Sequence, residues 1–274
     1  MSKNEVFIHS TAIVHPKARL DLGVWVGPHS FIGQDVIIKK NTKLDGNVYI
    51  NGWTEIGEDN HFSPFCSIGN EPQDLTYKGE KTQVKIGDRN IFREFITVHR
   101  ATAKGRKETV IGNDSYFMAY SHIAHDCTVG NETVFTHGAT LGGHVTIDDY
   151  AAVGALSGVH QFCRVGKHAF IGGYSVITQD VLSFCRVAGG RPPLLYGLNV
   201  IGLRRRGFSR ERLGSLKEMF KIIFYSDLNT SQALAKIKEQ FQPGEDRDEI
   251  IDFIQSSKRG IIKKVAEKWD NELG

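Results

Sequence analysis

The stretch IGNDSYFMAYSHIAHDCTVGNETVFTHGATLGGHVTIDDYAAVGALSGVHQFCRVGKHAFIGGYSVI, residues 111–177, decides the fold. It carries an aliphatic residue or phenylalanine at every sixth position: Ile111, Phe117, Ile123, Val129, Phe135, Leu141, Ile147, Val153, Val159, Val165, Ile171 and Ile177. Four residues after these anchors come small or β-branched residues, among them Ser121, Thr133, Ala139, Ala151, Ser157, Ala169 and Ser175. A period of six matches neither the 3.6 of a helix nor a meander with hairpin turns. It matches a short strand, a tight bend and another short strand, with one large and one small inward residue per side. Three sides make a coil of about 18 residues, and stacked coils bury a continuous core while pairing every internal strand edge.

Outward from this stretch the same period extends toward the N-terminus. Ile8, Val14, Leu20, Val26, Ile32, Ile38, Leu44, Ile50, Ile56, Phe62 and Ile68 form one unbroken run, and Ile86, Phe92 and Val98 a second. Two polar interruptions, residues 70–84 and 100–110, read as loops extruded from the coil, where function often resides. Glycine often follows an anchor, as at Gly27, Gly57, Gly130 and Gly166; the bend is the expected reason, since glycine reaches backbone angles closed to other residues. Cys66, Cys127 and Cys163 fall at the small inward position and read as core filler, with Cys185 unassigned. After Val187 a turn-rich connection gives way to helical spacing. One helix is expected to open near Ser209 with Leu213, Leu216, Phe220 and Ile223 on one face, a second after Thr230, and a third over Ile250 to Lys264 or beyond. The expectation is a parallel β-helix of hexapeptide repeats over 1–190 and a small α-helical domain over 191–274.

Composition narrows the function classes. The 274 residues are 40% hydrophobic with a formal charge of +3, too little to indicate nucleic acid. Basic charge is nonetheless concentrated in Arg204, Arg205, Arg206, Arg210 and Arg212. No apolar run suits a signal peptide or a membrane span, so a cytoplasmic protein is expected. No close pairing of cysteines suggests a zinc or redox motif, and no resident metal or cofactor is expected.

Because positions 18 apart stack, the sequence maps the outer surface. His125, Gly143 and Gln161 form one column, with Asp126 beneath His144 and with His122 and His160 alongside. His137, Ala155 and Gly173 form a second column, poor in bulk, on another side. An imidazole suits general-base work at neutral pH. The adjacent Asp126 can hold the tautomer that leaves the other nitrogen free, and the Gly143 N–H can serve a developing oxyanion. A column of small residues leaves a groove for an aliphatic chain. Together these parts suggest acyl transfer to an alcohol.

The segments SIGNEPQDLTYKGE, TVHRAT, HIAHDCTVGN, GGHVTIDD, VHQFCRVGKHAFIGG and GLNVIGLRRRGFSRE resemble the UDP-N-acetylglucosamine O-acyltransferase family of lipid A synthesis. The resemblance covers nearly the whole chain and supplies the left hand of the coil. It implies a homotrimer whose sites lie between neighbouring β-helices and which moves an (R)-3-hydroxyacyl group from acyl carrier protein to the sugar 3-position. It implies His125 as general base, Asp126 as its orienting partner and Gly143 as oxyanion donor. Gln73, Asp74, His99, His122, His144, His160 and Gln161 would line the sugar-nucleotide site. Asn199, Arg205 and Arg206 would reach the nucleotide or the carrier's phosphopantetheine arm, the acyl donor's own group. His137, Ala155 and Gly173 would form the acyl groove. Two positions depart from the family pattern: Thr76 replaces a lysine and Ile201 a glutamate. A 3-amino sugar acceptor stays open, as does a hexapeptide N-acyl- or acetyltransferase. A three-histidine zinc enzyme of the carbonic anhydrase type is disfavoured by the three-residue spacing of His122 and His125.

Overall fold

Stacking of 18-residue coils is what the strand pairing displays. In the computed structural model, which describes residues 5–267, each coil gives a short strand to each of three parallel sheets. Phe117 pairs with Phe135, Ile123 with Leu141 and Val129 with Ile147, each partner 18 places on. The chain is a left-handed parallel β-helix with a few C-terminal helices. At two points the offset widens: His61 pairs with Ile91 and Ile91 with Tyr116, 30 and 25 places on. The extra residues leave the coil as loops 71–82 and 100–107, slightly shorter than the sequence suggests. Their ends are drawn into the strands Ser67–Asn70, Gln83–Ile86 and Glu108–Ile111.

The anchors fill the interior. Val26, Ile32, Leu44, Ile56, Phe92, Phe117, Leu141 and Ile171 are fully buried, whereas Ile8, with no described coil beneath it, is 45% exposed. On the first sheet the anchors Phe62, Phe92, Phe117 and Phe135 stack with ring centroids 4.5, 4.7 and 5.0 Å apart. This column runs through both insertion points and supplies, by general experience, about 0.5–1.5 kcal/mol per ring pair beyond area burial. Asn60 bridges coils from inside: its side chain donates to the Gly87 carbonyl and accepts from the Asn90 N–H. All four cysteines are free and buried. Burial pushes the Cys66 and Cys127 thiols up to about 12 and that of Cys163 to about 11, so they pack as inert filler. Cys185 behaves the same way, its thiol raised by complete burial.

The bends correct one expectation. The left-handed residue comes three after most anchors and is usually not glycine: Asp59, Phe65, Asp126, His144 and Phe162 have φ of 56, 66, 60, 61 and 66°. Glycine directly after an anchor answers a different need. A Cβ on Gly27 would run into the Asp45 carbonyl of the next coil, and one on Gly57 into the Gly87 carbonyl. These glycines admit the close approach of stacked backbones.

The C-terminal region also departs from its expected bounds. Strand Leu194–Leu198 pairs antiparallel with Cys185–Ala188 and extends the first sheet past residue 190. Helix α1, Val200–Arg205, follows at once, its start capped by the Asn199 side chain. Helix α2, Arg210–Phe224, opens on Ser209, whose hydroxyl accepts from the Arg212 N–H, and α3, Thr230–Gln240, carries an Asn229–Gln232 capping box. Helix α4 spans Glu245–Ser256, earlier than the expected 250–264. It ends there because the following segment returns to the coil: the Ile262 N–H donates to the Asp180 carbonyl and the Leu195 N–H to that of Lys264.

His168 shows what this packing does to a titratable group. Its ring stacks 4.5 Å from Tyr150 and meets Phe208 edge-on. Burial, then the charges of Arg206, Lys167 and Arg212, lower it to about 4. An imidazole held neutral in the fold contributes stability that is complete above the unfolded value near 6.5 and is lost as pH falls toward 4. At pH 5 the loss amounts to about 2 kcal/mol. His168→Phe is therefore expected to shrink the fall in Tm between pH 7 and pH 5; an unchanged fall would show that this imidazole is not held neutral.

Candidate active site

The bend between the second and third sheets gathers the groups that the sequence singles out. Ile123 and Leu141 are buried anchors, so the residues two and three places beyond them, His125 with Asp126 and Gly143 with His144, turn outward on adjacent coils. The His125 Nδ1 lies 2.9 Å from Asp126 Oδ2, and His144 Nε2 lies 3.7 Å from the same oxygen. Asp126 Oδ2 also accepts from the Thr102 N–H at 3.0 Å and the Thr102 hydroxyl at 2.8 Å. The Asp126 side chain is 1% exposed and that of His125 14%. Burial pushes the Asp126 carboxyl up, but the hydrogen bonds from His125 and Thr102 outweigh it and hold the group below its ordinary range. A carboxylate so held keeps Nδ1 of His125 occupied as a donor and turns Nε2 toward the cleft as an acceptor.

Gly143 has a steric reason to be glycine. A Cβ there would land on the His125 ring, with Nε2 only 2.7 Å away. Its backbone adds a donor. In every coil the N–H two places after the anchor is left out of the ladder between strands. On the bend that follows the third sheet, side chains of the next coil take it: Glu58 donates to Asp88, Asp88 to Asn113 and Asn131 to Asp149. At Pro28 and Pro64 no N–H exists. On the His125 bend the N–H groups of His125, Gly143 and Gln161 have no acceptor among the described residues; that of Gly143, against the His125 ring, is free to meet an oxyanion.

Other histidines complete the wall. His122 Nδ1 lies 2.7 Å from the Thr97 hydroxyl, and its ring meets His99 edge-on at 5.2 Å. Burial first, then neighbouring His99 and His125, lower His122 to about 4. Burial, His125 and Arg100 likewise lower His99. These two imidazoles are neutral at neutral pH and can recognise hydroxyls. Burial also lowers His144, against the pull of Asp126 and Asp74, and Phe162 stacks on its ring at 4.6 Å. Asp74 comes from the 71–82 loop; its carboxylate accepts from the Thr76 N–H and hydroxyl and senses the charge of His125. Gln73 sits beside it, exposed, while His160 and Gln161 are exposed on the next coil of the same bend.

The remaining expected residues lie elsewhere on the chain. His137, Ala155 and Gly173 occupy the bend between the first and second sheets, where the Leu156 N–H donates to the His137 carbonyl and the Tyr174 N–H to that of Ala155, each at 2.8 Å. Their column is as expected, but it is flanked by bulk the column arithmetic does not show: Tyr120, Leu156 and Tyr174 are 55, 50 and 74% exposed. Asn199 and Arg206 lie at the third bend. Asn199 is spent on capping α1 and on the His168 carbonyl. Arg206 pairs with Glu132 at 2.7 Å and lies 4.3 Å over the Tyr150 ring. Arg205 is exposed beside them. Sequence reasoning missed Thr102 and Arg100. The Arg100 guanidinium is buried, bonds the Gly69 carbonyl at 2.9 Å and the Tyr77 hydroxyl at 3.0 Å, and ties down the 71–82 loop. Their adjacency to His99 in TVHRAT was the available signal.

His125, Asp126 and His144 also offer ligand atoms all within 4.8 Å of one another, which a cation could use. The hydrogen bonds suit a proton-handling pair, with Asp126 Oδ2 filled by Thr102 and His125 while Oδ1 stays open. Metal content of the purified protein separates the two readings.

A stacked hexapeptide coil bearing a carboxylate-held histidine beside a free backbone N–H defines a β-helical acyltransferase. Comparison with known proteins narrows this. Residues 180–262 match the family model described as Udp N-acetylglucosamine O-acyltransferase; Domain 2, and residues 108–143 the bacterial transferase hexapeptide model. The chain is 46% identical over 256 residues to the acyl-[acyl-carrier-protein]–UDP-N-acetylglucosamine O-acyltransferase of Thermodesulfovibrio yellowstonii, covering 93% of this chain and 99% of that one. It is 42% identical to the enzyme of that name from Stenotrophomonas maltophilia strain R551-3, over 96% of this chain and all of the relative. Among solved structures, the UDP-N-acetylglucosamine acyltransferase of Francisella novicida superposes with a TM-score of 0.91 at 39% identity, over 98% of this chain and 100% of that one. LpxA from Acinetobacter baumannii gives 0.90 at 39% identity, over 93 and 99%. This chain belongs to the UDP-N-acetylglucosamine O-acyltransferase family.

Proposed function

We propose that this chain moves an (R)-3-hydroxyacyl group from acyl carrier protein to the 3-hydroxyl of UDP-N-acetylglucosamine, the first step of lipid A synthesis. The observation that carries the chemistry is the pairing of His125 Nδ1 with Asp126 at 2.9 Å beside the unshared N–H of Gly143. The sugar hydroxyl gives its proton to Nε2 of His125 as its oxygen attacks the thioester carbonyl. The tetrahedral oxyanion forms against the Gly143 N–H, a kind of contact worth about 2.7–4 kcal/mol in other acyl-transfer enzymes. Collapse breaks the carbon–sulfur bond, and the departing phosphopantetheine thiolate takes the proton back from imidazolium. The two neutral histidines, His99 and His122, and the Asp74 loop line the sugar side. The donor brings its own prosthetic group, so the reaction needs no resident cofactor.

The working unit is a homotrimer. In one chain the His125 bend, the His137–Ala155–Gly173 column and the Asn199–Arg206 region occupy three different edges of a rigid prism, so a neighbouring copy must supply the others. A ladder of exposed aromatics supports this: Phe65, Phe95 and Tyr120 stack at 5.0 and 4.8 Å along one bend and are 50, 43 and 55% exposed. A contiguous apolar stripe of this kind marks an association surface. No helix among the described residues is long and apolar enough to cross a membrane, and UDP-sugar and carrier protein are reactants of the cytoplasm, where we place the chain.

Gly173 sets acyl length in this reading. A Cβ there would lie 3.3 Å from the Ala155 carbonyl, an adjustment the fold can absorb. Strand spacing of about 4.8 Å puts Gly173 about 10 Å beyond His137, and each excluded methylene forfeits about 0.8 kcal/mol of burial. Gly173→Met is expected to shift preference to donors shorter by several carbons with the sugar KM unchanged; an unaltered chain-length profile would remove this column from the acyl path. Arg205, exposed next to Arg204, is placed to meet an acidic carrier. Arg205→Glu should raise the KM for acyl carrier protein several-fold, and added salt should do the same to the unaltered protein. A carrier KM indifferent to both would end the electrostatic docking idea. The acceptor is tested by competing UDP-N-acetylglucosamine against its 3-amino analogue: the proposal expects the hydroxyl sugar to win, and preference for the amine would move the chain to N-acyl transfer.

A further inference from the structure

The loop 100–107 is seated on the catalytic pair, and its contacts have a direction. Thr102, itself 3% exposed, gives Asp126 Oδ2 two hydrogen bonds, from its N–H at 3.0 Å and its hydroxyl at 2.8 Å. Both converge on the oxygen that holds His125 Nδ1. From the other side the Asp126 N–H donates to the Thr109 hydroxyl at 2.9 Å. The second carboxylate oxygen, Oδ1, is buried without a hydrogen-bond partner, and it faces Gly105 of the same loop. A Cβ on Gly105 would land on that oxygen and come within 3.0 Å of His144 Cε1. Farther out, Lys104 Nζ bonds the Thr76 hydroxyl at 2.9 Å, and Thr76 in turn holds Asp74. One short loop thus holds Asp126 directly and reaches Asp74 through Thr76.

We infer that Thr102 is a positioning residue for the acyl transfer proposed above: it fixes which oxygen, and which lone pair, Asp126 presents to His125. The physical reason is competition for one atom. Asp126 Oδ2 already receives two donors from a backbone-anchored loop, so the carboxylate cannot rotate to bring Oδ1 to the imidazole or swing toward His144. Asp126 sits at a left-handed bend, φ 60°, where its backbone is also fixed. The carboxylate stays ionised and still, and the Nε2 of His125 is held toward the cleft. The charged and titratable groups around the pair are His99 and His122 on the second sheet, His144 on the next coil, Asp74 and Lys104 on the two loops, and Arg100 at the base of the second loop.

Thr102→Val removes the hydroxyl and keeps shape and backbone N–H; Thr102→Ser keeps the hydroxyl. With one donor fewer, Asp126 grips the imidazolium form of His125 harder. The acid limb of kcat/KM against pH should then move up by about one pH unit, with kcat down about tenfold for one lost charge-assisted hydrogen bond. The sugar KM should stay within twofold, and Thr102→Ser should restore both limb and rate. Gly105→Ala, which pushes the loop off Asp126 without touching a hydroxyl, should lower kcat with the same unchanged KM. A folded Thr102→Val with an unmoved acid limb overturns the inference, as does a Ser variant that fails to rescue. Absence of acyl transfer by the unaltered protein would instead overturn the proposed reaction.

Discussion

His125→Ala is expected to leave the folded assembly intact and to lower kcat by about 10²–10⁴-fold, the usual contribution of a positioned general base. The fold should not notice, because His125 points outward from a bend whose stability rests on the buried anchors Ile123 and Leu141. KM for the sugar should change far less than kcat, since the proton leaves the hydroxyl only in the transition state. Asp126→Asn should lose less than His125→Ala if the carboxylate orients the ring. Equal losses would mean the two act as one unit, and near-normal turnover by a folded His125→Ala would remove that residue from the mechanism.

Gly143→Ala is expected to lose about 10²–10³-fold in kcat, the scale of a missing oxyanion donor. The cause is steric. The added methyl occupies the place of the His125 ring, so either the imidazole or the coil must move. The substitution therefore displaces the base and the oxyanion donor together. Because φ at Gly143 is outside the left-handed region, the variant carries no backbone strain and should fold. Gly142→Ala serves as the contrasting variant: its methyl meets the Gln161 backbone, not the base. Full activity in Gly143→Ala would contradict the placement of the transition state.

The coil was legible because its period is a direct consequence of geometry: one anchor per side must face inward, whatever the other residues are. The two loops were legible as breaks in that period. What the period does not encode is which way a bend residue turns once it leaves the core. The sequence therefore suggested glycine for the bends, whereas Asp126, His144 and Phe162 take the left-handed angle themselves. The column arithmetic found Asp126 beneath His144 because both are fixed by anchors 18 apart. It could not find Thr102, since the loop carrying it obeys no period. For the same reason α4 was misplaced: Ile261 and Ile262 look like a continuing apolar helix face, yet their segment pairs with Asp180 instead. Asn199 shows the remaining gap. Its type suits ligand contact and helix capping equally, and only the structure shows both its polar groups engaged within the chain.

The most direct measurement gives the purified chain a mixture of (R)-3-hydroxyacyl carrier protein and acetyl-coenzyme A with UDP-N-acetylglucosamine, and identifies the product by mass and by the position of its ester. A single 3-O-(3-hydroxyacyl) sugar nucleotide drawn from the carrier protein is expected, formed about 10²–10⁴-fold more slowly by His125→Ala. An acetylated product formed at comparable kcat/KM, or no ester from the carrier protein, would contradict this expectation.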